Sequence, residues 1–172
     1  MPTMLVHQQQ VEISLAIKLI YDPCKFSCTD PVFDLESKEY GASRFRLNSF
    51  AIVCRIGKTT PKKHGQFVTL WNRSKDGIII PLDAADEFDF VVICVRKESN
   101  FGQFVFPKSA LLEKGILSVN GDGGKLALRV YPPWESSLNK QALKSQKWQV
   151  GYFLNATAEQ EIDLRRAQRL YS

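Results

Sequence analysis

From Ser43 to Pro107 the hydrophobic and polar positions fall into short runs that read as β-strands. SRFRL, FAIVCRIGK, GQFVTLWNR, GIIIPL, FDFVVICV and GQFVFP are rich in aromatic and β-branched residues and are punctuated by Gly, Pro, Asn and Asp. Phe88 to Val95 is apolar at nearly every position apart from Asp89, the pattern of a central strand covered on both faces. A later run, KLALRVYP, puts Leu126, Leu128 and Val130 on one face and Lys125, Ala127, Arg129 and Tyr131 on the other. Its basic residues therefore share a face.

Helical signals flank this block. Val11 to Tyr21 fits both periods, and the helix-tolerant HQQQ before it and the breaker DPC after it favour a helix. VFDLESKEYG reads as a short amphipathic helical piece. SALLEKG reads as a short helix with Ser109 as N-cap and Gly115 as stop. After PPWE a helix is expected from Leu138 to Trp148, with Lys140, Lys144 and Lys147 along one side. TAEQ at Thr157 to Gln160 has the form of a capping box, opening a C-terminal helix over 157–172 that carries Arg165, Arg166 and Arg169. No Ser/Gly-rich linker interrupts the chain. The expectation is one α+β domain over residues 1–172, with a central mixed or antiparallel sheet flanked by helices.

GQFV occurs twice, at Gly65 to Val68 and Gly102 to Val105. The flanks share nothing further, so the two are read as strand entries, with Gln66 and Gln103 satisfying nearby backbone groups.

Composition narrows the class. With 172 residues, 44% hydrophobic and 24% charged, the chain has globular proportions. It opens without a basic, then apolar, secretory leader and has no apolar run of membrane-spanning length, so a cytoplasmic location is expected. Cys54 and Cys94 sit in apolar runs and read as buried, reduced thiols. Cys24 and Cys28 form C-x3-C, with no second Cys/His pair nearby to complete a zinc site.

The net charge is +5, and it is segregated. From Tyr40 to Lys75 there are eight Lys and Arg residues and no acid; Lys125 to Lys147 carries five against Glu135 alone. The acids gather at Asp22 to Glu39 and Asp76 to Asp89. Clustered cations draw polyanions and release their counterions. KTTPKKHG, Lys58 to Gly65, sets three lysines on a proline-fixed turn, with Arg55 and Arg73 on the flanking strands, a form suited to successive phosphates. Tyr131, Trp134 and Trp148 interleave with the second basic stretch, a mixture that can stack bases and neutralise phosphates together.

Other chemistry finds little support. His7 and His64 are the only histidines, no G-x-S-x-G elbow is present, and GDGGK at Gly121 to Lys125 fails the phosphate-loop spacing because Leu126 follows the lysine.

ESKEYGASRF, CRIGKTTPKKHGQFVTLWNR, FGQFVFPKSALLEKGILS, GGKLALRVYPPWE and QALKSQKWQVGYF together resemble the MepB-like family of small bacterial cytosolic proteins, over about Glu36 to Phe153. The resemblance implies a restriction-endonuclease-like α+β fold, similar to the PD-(D/E)XK nucleases, and nucleic-acid binding. Members are also associated with a multidrug-efflux operon. A nuclease of that kind needs an acid on one strand and acid-x-Lys on the next, so that carboxylates hold Mg2+. Asp89 offers the first acid and Glu39 an accessory one, but the strand reaching Lys108 carries no acid at the required spacing. The expectation is therefore a binding module rather than an enzyme, with no cofactor. Mg2+ enters only if Glu39, Asp89 and Lys108 form an atypical nuclease. The expected partner is nucleic acid, DNA first, held by Arg55, Lys58, Lys62, Lys63, Arg73, Lys125, Arg129, Trp134, Lys140, Lys144 and Trp148. A nucleotide, another small anion or an acidic protein is the alternative partner; a membrane is not expected.

Overall fold

The computed structural model describes residues 11–172; His7 lies outside them. Residues 11–16 are helical (α1) and run into a π-helical turn at Ile17–Tyr21. The strands follow as β1 (Val32–Phe33), β2 (Ser43–Leu47), β3 (Phe50–Ile56), β4 (Lys58–Thr60), β5 (Lys63–Thr69), β6 (Trp71–Arg73) and β7 (Ile79–Pro81). After them come β8 (Phe90–Lys97), β9 (Asn100–Pro107), the helix α2 (Lys108–Glu113), β10 (Ser118–Val119), β11 (Asp122–Gly123) and β12 (Ala127–Val130). Helix α3 (Lys140–Gln149), β13 (Phe153–Asn155) and α4 (Leu164–Leu170) complete the chain.

Six strands form the central sheet in the order β1-β2-β3-β8-β9-β13, and β3 and β8 pair in parallel while every other neighbour is antiparallel. The sheet is thus mixed and the architecture α+β. As the unbroken apolar run requires, Phe90 to Val95 is buried throughout. One face packs under α1, the π-turn and α4 through Ile20, Tyr21, Phe45, Phe90 and Tyr171. The other packs Val53, Ile93, Phe104 and Phe106 against Val68, Leu128 and Val130 of a second sheet, ordered β12-β5-β4.

The two GQFV segments enter strands of different sheets, and their glycines are needed for different reasons. Gly65 has φ +76°, and a Cβ there would stand 2.6 Å from the Val130 carbonyl oxygen. Gly102 has no positive φ; a Cβ there would run into the Phe153 ring. Gln66 donates to the Arg96 carbonyl at 2.7 Å and so bolts the second sheet to the first. Gln103 instead accepts from the buried hydroxyls of Tyr171 and, at 3.4 Å, Tyr21.

Several local expectations are corrected. VFDLESKEYG is not one amphipathic helix; it forms β1 and a short 3-10 turn at Lys38–Tyr40. Pro107, not Ser109, stands at the N-cap position of α2, without a side-chain cap bond, its fixed φ suiting the strand-to-helix corner. The C-terminal helix starts after Asp163, whose carboxylate accepts from the Arg166 amide at 2.9 Å. The Thr157 hydroxyl is engaged elsewhere, accepting from the Phe101 amide at 3.1 Å, and cannot serve as a cap. All four cysteines are free thiols, with Cys54 and Cys94 buried. Among the described residues no helix is long and apolar enough to cross a membrane.

Candidate functional site

Pro61 and Lys62 form the tight turn that joins β4 to β5, with Thr60 opposite Lys63 across it. Strand β12 pairs with the other edge of β5, setting Arg129 opposite Phe67 and Leu128 opposite Val68. Alternation then divides the sheet. Val68, Leu128 and Val130 turn into the core, while Lys63, Phe67, Ala127 and Arg129 share the outer face. Helix α3 stands across that face, capped by the Asn139 side chain on the Ala142 amide at 2.8 Å.

Between sheet and helix lies a cavity of about 630 Å³. Lys62, Lys63, Lys125 and Arg129 line it from the sheet side, and Lys114, just beyond α2, joins them. No carboxylate lines it, and none of the four lysines makes an ion pair among the described residues. Its aromatic lining is Phe67, Tyr131 and Trp148. Cations stack on two of these rings, Arg129 on Phe67 at 5.7 Å and Lys114 on Trp148 at 5.5 Å. Arg129 also donates to the His64 carbonyl at 3.1 Å, which holds its guanidinium at the cavity wall. Glu135, the lone acid of the second basic stretch, is buried; His64 (3.8 Å) and Lys97 (3.3 Å) face its carboxylate.

The two basic stretches, far apart in the chain, thus meet on one concavity. Other expected contacts lie elsewhere. Arg55 is only 3% exposed, and its guanidinium donates to the Cys54 carbonyl at 2.9 Å and the Thr69 carbonyl at 3.2 Å. Burial pulls its pKa down to about 10, and it ties β3 to the end of β5 where no phosphate reaches. Lys58, opposite Phe67 in the β4–β5 pairing, faces Glu39 at 3.4 Å and does not line the cavity, and Arg73 pairs with Glu36 at 2.5 Å. Trp134 packs edge-on against Phe153 and lines a different hollow, beside Arg166. Lys140, Lys144 and Lys147 are exposed on α3 but do not line the cavity; Gln141, Ser145 and Trp148 occupy its cavity face.

The residues of the nuclease alternative are dispersed. Asp89 stands at the start of β8, accepting from the Ala51 amide at 2.7 Å. Glu39 is held by Lys58, beyond the other end of β3. Ala51 and Ile56 alone are about 17 Å apart along a strand, so the two carboxylates cannot share an ion. Lys108 donates to the Asp86 carbonyl and lies over the Phe88 ring at 4.7 Å. Among the described residues no three His, Cys, Asp or Glu side chains gather to hold a metal, and the set does not fit Mg2+.

Sequence reasoning missed Lys114, Gln141, Ser145 and Gln149. Lys114 follows Glu113 outside both basic stretches, so no charge pattern marks it. The polar residues of α3 look like ordinary solvated positions until the sheet they face is known.

Fold and site together define an α+β protein built on a mixed sheet, with a cationic, carboxylate-free concavity on its second sheet. More particularly, the chain belongs to the MepB-like family, whose model matches residues 34–155. A solved relative described as the crystal structure of MepB is 37% identical, with a TM-score of 0.73 over 77% of this chain and 89% of that one. A bacterial homing endonuclease, I-Ssp6803I, aligns at 16% identity and a TM-score of 0.45 over 83% of this chain and 86% of its own, a likeness too slight to define a fold. Comparison with curated proteins gives no match.

Proposed function

We propose that the concavity is a nucleic-acid-binding surface, with DNA as the first partner to test, and that the protein acts as a binding module rather than a nuclease. The observation that carries this reading is the convergence of Lys62, Lys63, Lys114, Lys125 and Arg129 on one cavity with no carboxylate among its lining residues. Cations so placed create a field that attracts a phosphate chain and displaces its counterions. Only the chain's own side chains are needed. The reading is tested by fluorescence anisotropy with a labelled oligonucleotide at two salt concentrations, wild type against Lys62→Ala/Lys63→Ala. Binding that weakens with salt and weakens further in the double variant supports the surface. Binding unchanged in the variant removes it.

A further inference from the structure

The two walls of the cavity are chemically unlike. On the sheet side stand Lys62, Lys63, Lys125 and Arg129. On the helix side the lining from Leu138 to Gln149 carries no charge of its own, because the three lysines of α3 face elsewhere, and the one cation at this wall is Lys114 over the Trp148 ring. What α3 presents instead is Gln141 and Ser145, one turn apart, and then Trp148 near its end. An amide and a hydroxyl each offer a donor and an acceptor, and the indole, packed on Phe106 and covered by Lys114, offers apolar surface beside them. Tyr131, half-buried at the end of β12, adds a second ring.

A surface that only follows a duplex backbone has no use for this asymmetry, since phosphates call for cations and bases stay inside the stack. An unpaired nucleotide matches it: sugar and phosphate against the cationic wall, base against the neutral one. Size agrees. About 630 Å³ is the scale of a site for one small-molecule-sized group. Stacking of this kind tolerates any base, so sequence preference would come only from Gln141 and Ser145.

We propose that the cavity receives a single unpaired base of a nucleic-acid strand, stacked on Tyr131 beside Trp148, whose own ring Lys114 covers at 5.5 Å, with the flanking phosphates on Lys62, Lys63 and Lys125. This rests on the nucleic-acid reading above and goes beyond it by naming the strand form and the group that enters.

The test compares, by anisotropy on the full chain, an oligothymidylate single strand, the same strand with every base replaced by an abasic unit, and the matching duplex. Competition by thymidine monophosphate forms the fourth arm. The expected result is tighter binding of the single strand than of the abasic strand or the duplex, by about tenfold or more. Tyr131→Ala should lose most of that difference while keeping the salt dependence. Tryptophan emission should fall on adding oligothymidylate, and Trp148→Phe, which still fills the space beside Phe106, should abolish that fall. Equal binding of all three polymers would overturn the base pocket yet leave the polyanion surface standing. Monophosphate binding as tight as the oligomer would overturn its assignment to a strand. Failure of every arm would sink the nucleic-acid reading itself.

Discussion

The side-chain amide of Gln149 donates to the carbonyl oxygen of Arg129 at 3.0 Å. Through its own oxygen it accepts from the Tyr131 amide at 2.8 Å. Strand β12 is the edge of its sheet, and these are backbone groups two residues apart on its unpaired side. The side chain, 1% exposed, thus completes the edge as a neighbouring strand would, and it fixes the distance between α3 and the cationic face.

Gln149→Leu keeps the volume but leaves both backbone groups without a partner. Urea unfolding is expected to show a loss of about 2–3 kcal/mol. An unchanged midpoint would mean that the edge is held by other contacts.

The two groups of lysines should behave differently toward DNA. Lys62→Ala/Lys63→Ala should reduce the slope of log affinity against log salt by about 1.4–1.8, from about 0.7–0.9 for each phosphate contact. Removing Lys140, Lys144 and Lys147 together should change that slope by less, although it deletes more charge, because these side chains lie outside the cavity. A salt titration at five concentrations separates the two outcomes.

Tyr21 and Tyr171 are buried, with their hydroxyls 2.9 Å apart, and burial pushes both well above the ordinary tyrosine range. Folded-state values that are raised give stability that is complete below the unfolded value near pH 10 and lost as pH climbs beyond it. Each group contributes a slope of about 1.4 kcal/mol per pH unit in that window. Tyr21→Phe should make the alkaline loss shallower by up to this amount, read from urea unfolding between pH 10 and 12.

Burial, followed by the charges of Cys54, Asp22 and Asp30, pushes the Cys28 thiol up to about 11, although it is only half-buried. Its alkylation by iodoacetamide at pH 8 should be at least about tenfold slower than that of a free thiol, and should quicken steeply up to pH 10. Cys28→Ser identifies the signal.

Asp89→Ala removes an acceptor from the Ala51 amide and should cost about 1 kcal/mol in a thermal or urea melt. Plasmid incubated with Mg2+ should be affected identically by wild type and variant. Nicking that vanishes in the variant would restore Asp89 to a catalytic role.

Much of the fold was legible because it is local. The alternation in KLALRVYP placed Leu128 and Val130 inward and Arg129 outward, and the unbroken run around Val91 marked a central strand. The meeting of the lysine turn with β12 was readable only as a charge pattern, since antiparallel pairing of β5 with β12 is a long-range choice that no local period records. Arg55 was misplaced for a related reason. Its neighbours AIVC and IG form a buried strand, but a basic residue there looks functional until the two carbonyls it satisfies are known. The capping box at Thr157 is a correct local motif overruled by a tertiary bond to Phe101. Gln149 carries no signal at all, because its two partners lie on a strand about twenty residues earlier.

The bond from Gln66 to the Arg96 carbonyl reaches beyond the joining of two sheets. Gln66 lies three residues along β5 from Lys63, so the lysine turn is tied to the central sheet. Its charges are arranged when the chain folds, not when a ligand arrives. An anion docking there freezes only the lysine side chains and no loop, and association should show a small heat-capacity change and little dependence on prior conformational rearrangement.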